Sequence, residues 1–448
     1  EKVFITPHKL VCSNSDKKNG YLIFFDKGYA GGIKNGYTIF QLNVATGEMK
    51  SFTGILPAAF MPSHFQAIDG ILLWGGAIST GLAYLQVVVL HTDMNTLTTK
   101  ALELPVVGSE KEMILLCNIK KDTVENSFKV LKTHWVPSKN CVVEIAEYNL
   151  NGFDKEEDVL KIENQCMPIN AYETAIDTSS KIFTGNFSYN GDLDWGVKFG
   201  PPKISSIDGI YFCKKKGNET EFSRVYSFWE LKSFWDYVSP INFDSKELKE
   251  LEKRNKNDKT SKLKADHYIL AHDVIQMNNT YVLIAEVYVI MSGVQTISTL
   301  DPYVYRDHYD SHGKMYVCTI NCGFDLKGNL LWDNTYKISK HVYNGNNQRV
   351  KSEFQNGELV TYCIGDSVIS KKVLKSNVFQ ETGHSVRLDN GLVKYPVASP
   401  VMYNEEMIFW YDNYILIWGQ EMFERNEKVF KKRIDRSIFY ITKIKYSD

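Results

Sequence analysis

Tyr281-Val282-Leu283-Ile284-Ala285 is an unbroken apolar run that follows the turn residues Asn278 and Asn279. Short runs of this composition, without polar alternation, are typical of strands that are buried on both faces. The same form recurs along the whole chain, with four or five largely apolar residues after a turn. The other runs are residues 21–25, 71–75, 113–117, 181–185, 359–363 and 414–418. This repetition decides the fold class.

A more alternating segment with a polar or glycine-containing turn follows most of the buried runs. These segments are residues 43–52, 92–102, 148–162, 213–226, 324–333 and 363–373. Alternation of apolar and polar residues predicts a hairpin with one exposed face. The chain therefore repeats one unit, which we interpret as an inner buried strand followed by an outer amphipathic hairpin.

The spacing of the repeats predicts an all-β chain folded as a β-propeller of about seven blades, with six or eight as the margin. The buried runs lie about 40 to 100 residues apart, and a four-stranded blade with its loops needs about 40 to 50. We expect one domain, residues 1–448. Because the spacing is irregular, two paired β-sandwiches are the structural alternative.

One insertion is visible in the sequence, at residues 228–264. Residues 228–235 predict a short helix with aromatic side chains on one side, and residues 244–266 are charged and poor in apolar residues. We expect a solvated insertion within the propeller. Short strands at residues 2–5 and 437–444 are expected to pair near the termini and close the ring.

Composition excludes several classes of protein. The 448 residues carry 52 Lys and Arg against 53 Asp and Glu, so the basic footprint of a nucleic-acid-binding protein is absent. No apolar run is long enough for a transmembrane helix. The glycine doublets lack the spacing of a phosphate-binding loop, and no nucleophile elbow occurs, so we expect no cofactor.

The cysteines and the first residue bear on the compartment. The eight cysteines are spread along the chain, and we expect most of them to be small buried side chains. A local disulfide between Cys318 and Cys322 is left open. The sequence begins at Glu1 rather than Met, from which we expect an exported protein whose signal peptide has been removed.

Several stretches of the chain resemble a group of known sequences. The resemblance covers roughly 40% of the chain and is clearest from about residue 265 to the end. The stretches are residues 272–275, 285–288, 323–334, 410–414, 419–420 and 439–444. In these stretches the sequence resembles uncharacterised exported proteins of Bacteroidota. The resemblance implies a periplasmic or cell-surface β-repeat protein, and it implies no reaction.

The densest polar and aromatic cluster lies at residues 301–312, which the sequence allows to be either a surface loop with solvated charges or a binding loop. Tyr, Arg and Asp side chains give large contact areas and bidentate hydrogen bonds. We expect no metal site, because His308 and His312 meet only if they lie on a helix, and Pro302 argues against one. Two tryptophans outside apolar strands add a predicted glycan contact. The predicted binding residues are Asp301, Tyr303, Tyr305, Arg306, His308, Tyr309, Trp195 and Trp410.

Function is predicted from these features as non-catalytic binding or scaffolding in the bacterial cell envelope. The partner is expected to be an envelope protein or a glycan, with peripheral association at the outer membrane. One alternative is a glycan lyase or hydrolase that uses Glu286 and Glu144, which follow buried strands and are expected to line a central channel. The other alternative is a structural subunit of an outer-membrane-associated complex.

Overall fold

A computed structural model describes the protein between residues 8 and 445. Within that span the structure omits residues 16–17, 27–35, 44, 57–59, 69, 80–84, 104–112, 122–126, 136–141, 150–154, 161, 163–165, 190–192, 195–202, 205–206, 239–266, 292–312, 339–341, 344–347, 356, 366–367, 376, 388–402, 410–413 and 426–433. In the part that is described, no helix has the length and apolar character needed to cross a membrane.

The strands form seven antiparallel sheets in chain order. Sheet 1 contains β1 (His8–Ser15), β2 (Asn19–Asp26), β3 (Gly36–Asn43) and β4 (Met49–Ile55). Sheet 2 contains β5 (Phe60–Ile68), β6 (Ile71–Ser79), β7 (Leu85–Asp93) and β8 (Thr98–Glu103). Sheet 3 contains β9 (Met113–Lys121), β10 (Ser127–Trp135), β11 (Val142–Asn149) and β12 (Lys155–Leu160).

Sheets 4 and 5 carry additional short strands. Sheet 4 contains β13 (Met167–Pro168), β14 (Tyr172–Ala175), β15 (Ser180–Ser188), β18 (Gly209–Lys216) and β19 (Glu219–Ser227), while β16 (Leu193–Asp194) pairs with β17 (Lys203–Ile204) in a separate ribbon. Sheet 5 contains β20 (His267–Ala271), β21 (Ile275–Met277), β22 (Thr280–Met291), β23 (Gly313–Asp325), β24 (Leu330–Lys337) and β25 (Val342–Tyr343).

Sheets 6 and 7 complete the series. Sheet 6 contains β26 (Val350–Gln355), β27 (Glu358–Gly365), β28 (Val368–Lys375) and β29 (Val378–Arg387). Sheet 7 contains β30 (Tyr403–Phe409), β31 (Tyr414–Arg425) and β32 (Ile434–Lys445). In each of the seven sheets the strands of the main path lie side by side in chain order, which is the order of a propeller blade, and the short strands β14, β21 and β25 pair off that path. The predicted fold class, an all-β propeller-type chain with about seven blades, is confirmed.

Consecutive sheets in the first half of the chain pack face to face. Leu72 and Trp74 of β6 face the core shared with sheet 1, whereas the intervening Leu73 faces sheet 3. In the same way Val130 of β10 packs toward sheet 2, and Leu131 packs toward sheet 4. Alternate residues of one strand therefore fill two cores, which is why the most apolar runs in the sequence do not alternate.

The predicted order of strands within a blade needs a correction. Six of the seven apolar runs form the second strand of their sheet, such as β2, β6 and β22, and only the run at residues 113–117 forms a first strand, β9. The first strands of sheets 1, 2 and 3 contact one another in sequence. A second strand is flanked by strands on both sides and covered on both faces, so it carries the strongest apolar signal without being the innermost.

The chain divides into two compact units, residues 1–285 with 320–335, and residues 286–319 with 336–448. Sheets 1 to 4 belong to the first unit, and sheets 6 and 7 belong to the second. The expectation that residues 1–448 form a single domain stays a prediction.

The predicted insertion differs in detail from the structure. Residues 228–233 form turns, and the only helical turn between residues 228 and 238 is a 3-10 turn at Phe234–Asp236. The predicted helix is therefore reduced to one turn, because the buried side chains Phe228, Leu231 and Phe234 follow a spacing of three. The charged remainder at residues 239–266 and the predicted strand at residues 2–5 lie outside the described residues.

The cysteines that the structure describes are buried free thiols. They are Cys166, Cys213, Cys318, Cys322 and Cys363. Cys318 and Cys322 both lie in β23, where residues four apart are separated by about 13 Å along the strand. A disulfide between them is therefore ruled out by the geometry.

Candidate functional site

Sheet 3 contains a buried ion pair that includes one of the predicted channel carboxylates. Lys132 of β10 lies opposite Glu144 of β11, and the Lys132 Nζ atom lies 2.7 Å from Glu144 Oε1. The Lys132 side chain is fully buried, and Glu144 is nearly so. On the same face, burial and the Glu144 carboxylate raise the pKa of Tyr148 to about 12. Glu144 therefore neutralises a buried cation in the core.

The opposite face of sheet 3 carries a second buried cation. Lys129 Nζ lies 3.5 Å from a carboxylate oxygen of Glu173 in sheet 4 and 3.8 Å from one of Glu147 in β11. Ser127 Oγ donates a 2.7 Å hydrogen bond to Glu147. One cation and two carboxylates thus join sheets 3 and 4, and all three charged groups are engaged in structural contacts.

Glu286, the other predicted channel carboxylate, is fully buried in β22. Its Oε1 accepts hydrogen bonds from the backbone N–H groups of Arg349 (2.7 Å) and Val350 (2.9 Å), and its Oε2 accepts from Arg349 N–H (2.9 Å). The carboxylate therefore satisfies the backbone at the start of β26. The expectation that Glu286 and Glu144 line an open channel is corrected, because both side chains are packed against protein groups.

The thiols and one buried phenol are held in their neutral forms. Burial raises the pKa of Cys166, Cys318 and Cys363 to about 12. Burial likewise raises the pKa of Tyr336, whose hydroxyl accepts a 3.4 Å hydrogen bond from Cys363 Sγ. A thiol becomes nucleophilic as its thiolate, so these cysteines are inert at neutral pH. In the described part of the chain, no group of three or more His, Cys, Asp or Glu side chains is arranged to hold a metal ion.

The best-defined surface candidate follows β19, where three aromatic side chains lie outside a small buried core. We call Trp229, Trp235 and Tyr237 the tryptophan platform. The two indole centroids are 6.5 Å apart at 59°. Beneath them, the buried rings of Phe228 and Phe234 stack at 4.1 Å and 4°. Tyr237 is 42% exposed, and both tryptophans are half-buried, so their outer faces reach solvent.

Hydrogen bonds hold the platform segment against sheet 5. The Asp333 carboxylate of β24 accepts hydrogen bonds from the Ser233 N–H (2.7 Å) and Oγ–H (2.6 Å). Thr335 Oγ1 donates a 2.7 Å hydrogen bond to the carbonyl of Ser233. Within the segment, Trp235 Nε1 donates to the Phe228 carbonyl at 3.1 Å. Fixed aromatic side chains lose little conformational entropy when a partner binds.

Carboxylates border the platform. Glu230 accepts hydrogen bonds from the Ser227 N–H (2.9 Å) and Oγ–H (3.2 Å), which fixes the start of the segment. Partial burial, the Cys166 side chain, and the carboxylates of Glu230 and Asp208 raise the pKa of Tyr189 to about 12. Aromatic faces next to carboxylates can stack on a sugar ring and accept its hydroxyl protons, or receive apolar and basic groups of a protein.

The structure does not test the predicted binding residues. The binding loop, residues 301–312, lies outside the described residues, and so do Trp195 and Trp410. Those predictions stay predictions. The sequence does not predict the platform as a surface, because it assigns Trp229 and Trp235 to one side of a short helix. The relevant signal was the repeated Phe-Trp pair at 228–229 and 234–235, where one member of each pair is buried and the other is not.

Comparisons with known proteins give structural neighbours only. No family model matches the chain, and no curated protein matches it. The β-propeller domain of the Trilobed protease from Pyrococcus furiosus is 8% identical, with a TM-score of 0.38 and 97% of each chain covered. The WD40 domain of SCAP from fission yeast is 9% identical, with a TM-score of 0.34, 97% of this chain and 90% of that chain covered.

Other neighbours are named as enzymes. A putative 6-phosphogluconolactonase from Bacteroides uniformis is 11% identical, with a TM-score of 0.36, 96% of this chain and all of that chain covered. The chain spans 54% of the length of a prolyl endopeptidase that it also matches, at 8% identity, a TM-score of 0.35 and 92% of this chain covered. At these scores the assignment of the fold depends on the strand pairing described above.

Proposed function

We propose that this chain is a non-catalytic binding or scaffolding protein of the bacterial cell envelope that holds a protein or glycan partner through the loop faces of its propeller. The observation that carries the proposal is the tryptophan platform, a pair of half-buried indoles and an exposed phenol on a segment whose Ser233 is held by Asp333 and whose Ser227 is held by Glu230. Large aromatic side chains that are fixed in position are typical of binding surfaces.

The state of the ionisable groups supports binding rather than catalysis. Lys132, Glu144 and Glu286 are engaged in ion pairs or backbone hydrogen bonds in the core. The described thiols are free and buried, and this burial is compatible with an oxidising compartment and with a reducing one. Export to the periplasm or cell surface is therefore proposed from the resemblance to exported proteins of Bacteroidota alone.

Affinity capture from the native envelope fraction, followed by mass spectrometry, tests the proposal. We expect Trp229→Ala to lose the specific partner, because the exposed part of the indole supplies the contact. The matched control is Phe354→Ala, which removes an aromatic side chain that is 47% exposed on sheet 6. The control should capture as wild type does, and both variants should keep the wild-type melting temperature. Equal capture by Trp229→Ala and wild type contradicts the proposal.

The predicted binding loop is tested in the same way. Deleting residues 301–312 is expected to weaken capture while leaving the melting temperature nearly unchanged. If capture is unchanged, this loop is rejected as a contact. The platform proposal is tested separately, by the Trp229→Ala variant.

The enzyme alternative predicts turnover when the chain is assayed against a panel of polysaccharides, and we expect none. Glu286→Gln is a poor control for such an assay, because that carboxylate holds the backbone at the start of β26 and its loss affects folding. Turnover that survives in the Lys132→Met, Glu144→Leu double variant would indicate a site elsewhere in the chain.

A further inference from the structure

A further lysine, Lys215 near the end of β18, joins sheet 4 to sheet 3. Its Nζ atom lies 2.5 Å from both carboxylate oxygens of Asp158, which belongs to β12 of sheet 3. Nζ also donates a 3.4 Å hydrogen bond to the carbonyl of Val159. The Lys215 side chain is 3% exposed, and that of Asp158 is 39% exposed. A buried amine is thus held against a carboxylate that still reaches solvent.

The approach of this amine to the carboxylate is closer than in the neighbouring ion pairs. Lys132 Nζ lies 2.7 Å from Glu144 Oε1, and Lys214 Nζ lies 2.8 Å from Glu221 Oε2. At Lys215 the amine is equidistant from two oxygens, and each oxygen is bonded to the carboxyl carbon at about 1.2 Å, so Nζ lies about 3 Å or less from that carbon. This separation is short enough for the two atoms to react.

Two features of the surroundings oppose a charge on Lys215. The first is burial, because removing an ammonium group from water costs free energy. The second is Lys181 of β15, which lies directly opposite Lys215 in the register of the two strands. Residues in that arrangement share one face of the sheet, and like charges there repel each other. A neutral amide between Lys215 and Asp158 removes both costs.

We propose that Lys215 and Asp158 become joined by an isopeptide bond, which the folded chain forms by itself and which links sheet 4 covalently to sheet 3. A proton passes from the ammonium group to the carboxylate across their hydrogen bond, which leaves a neutral amine beside a carboxylic acid. The Nζ–Cγ bond forms, one C–O bond of the acid breaks, and the hydroxyl leaves as water with a second proton from Nζ. The third proton stays on the amide nitrogen, and atoms and charges balance without a further reactant. The bond is independent of the tryptophan platform, so either proposal can fail without the other.

Mass spectrometry of the full chain under reducing conditions tests the proposal. We expect the intact mass to be lower than the mass of the expressed sequence by one water molecule, and a tryptic digest to contain a branched peptide that joins residues 158 and 215. Lys215→Arg should restore the full mass, because a guanidinium group keeps the ion pair but stays protonated and does not form the amide. The matched control is Lys214→Ala, which removes the adjacent lysine from a carboxylate that is 37% exposed, and this variant should keep the crosslink.

The wild-type chain decides the outcome even if a variant fails to fold. A wild-type mass equal to that of the sequence, with residues 158 and 215 recovered in separate tryptic peptides, overturns the proposal and leaves an ordinary ion pair. A mass deficit of one water that persists in Lys215→Arg also overturns it, because the water is then lost elsewhere in the chain. Loss of the branched peptide in Lys215→Arg but not in Lys214→Ala supports it.

Discussion

The interface between sheets 1 and 2 differs sharply from the two interfaces that sheet 3 makes. The first is built from aromatic and aliphatic side chains around Trp74, whose ring meets that of Tyr37 edge-on at 4.9 Å. The faces of sheet 3 instead bury Lys132 with Glu144, and Lys129 with Glu147 and Glu173. Apolar packing tolerates small shifts, and here it leaves a cavity of about 290 Å³ whose walls include Tyr37, Thr53 and Met94. A buried ion pair allows one register, because a slip of one residue would turn Lys132 to the other face and leave Glu144 unpaired.

The largest effect is expected from breaking the pair in sheet 3. Lys132→Met should reduce the free energy of unfolding by about 3–5 kcal/mol, because it leaves the Glu144 carboxylate buried without its cation. The double variant Lys132→Met, Glu144→Leu should recover most of that loss, since a buried pair can be replaced by apolar groups of similar volume. Urea denaturation measures both. If the double variant is as unstable as the single one, the prediction is wrong, and the pair contributes more to stability than the neutralisation of two buried charges.

A smaller effect is expected from overpacking the apolar interface. A Cβ atom at Gly54 would overlap the ring of Tyr37, which packs on Trp74. Gly54→Ala should therefore cost about 1–3 kcal/mol in the free energy of unfolding as the ring is displaced. Thr53→Ala, at the neighbouring exposed position on the cavity wall, is the control and should change stability much less. If Gly54→Ala and Thr53→Ala are equally stable, the Tyr37 ring moves into the cavity without a cost in free energy.

The loss of stability at alkaline pH should depend on Tyr148, which lies on the same face of sheet 3 as Glu144. Burial raises the pKa of Tyr148 from 10.0 to about 12, so the folded state holds its proton more tightly than the unfolded chain does. The resulting stability is fully present below pH 10 and is lost as the pH rises toward 12. The melting temperature of Tyr148→Phe should therefore fall less steeply than that of wild type across this range. Parallel curves would argue that the phenol reaches solvent.

The smallest effect is expected at an exposed pair of sheet 1. Lys50 Nζ lies 3.6 Å from Glu48, and both side chains are 60% exposed. Lys50→Ala should change the free energy of unfolding by less than about 0.5 kcal/mol, because solvent screens an exposed pair. A loss close to that of Lys132→Met would mean that burial does not explain the contrast between the two sheets.

The sequence was informative about repeated apolar runs and much less so about what lies between them. The run at residues 281–285 identified β22, and Trp74 was correctly placed in the core. The strand Ser127–Trp135 was missed as a central strand because Lys129 and Lys132 interrupt its apolar pattern. Their burial depends on carboxylates from β11 and β14, which are distant in sequence from the lysines or lie on another sheet. Periodicity within one segment cannot reveal such a partner.

The tryptophan platform was missed for a related reason. Its aromatic spacing resembles one face of a helix, but the hydrogen bonds from Ser233 to Asp333 hold it as turns against β24, 100 residues farther along the chain. Tertiary contacts of this length override the local preference. The exposure of Trp229 and Trp235 follows from that contact rather than from the residues around them.

The most direct test of the central claim compares capture of the native envelope partner by two variants, each assayed where it is fully folded. In our account the buried charges maintain the fold and the platform holds the partner. We therefore predict that Lys132→Met, Glu144→Leu captures the partner as wild type does, while Trp229→Ala loses it. Loss of capture in the double variant Lys132→Met, Glu144→Leu, together with normal capture by Trp229→Ala, would contradict the account.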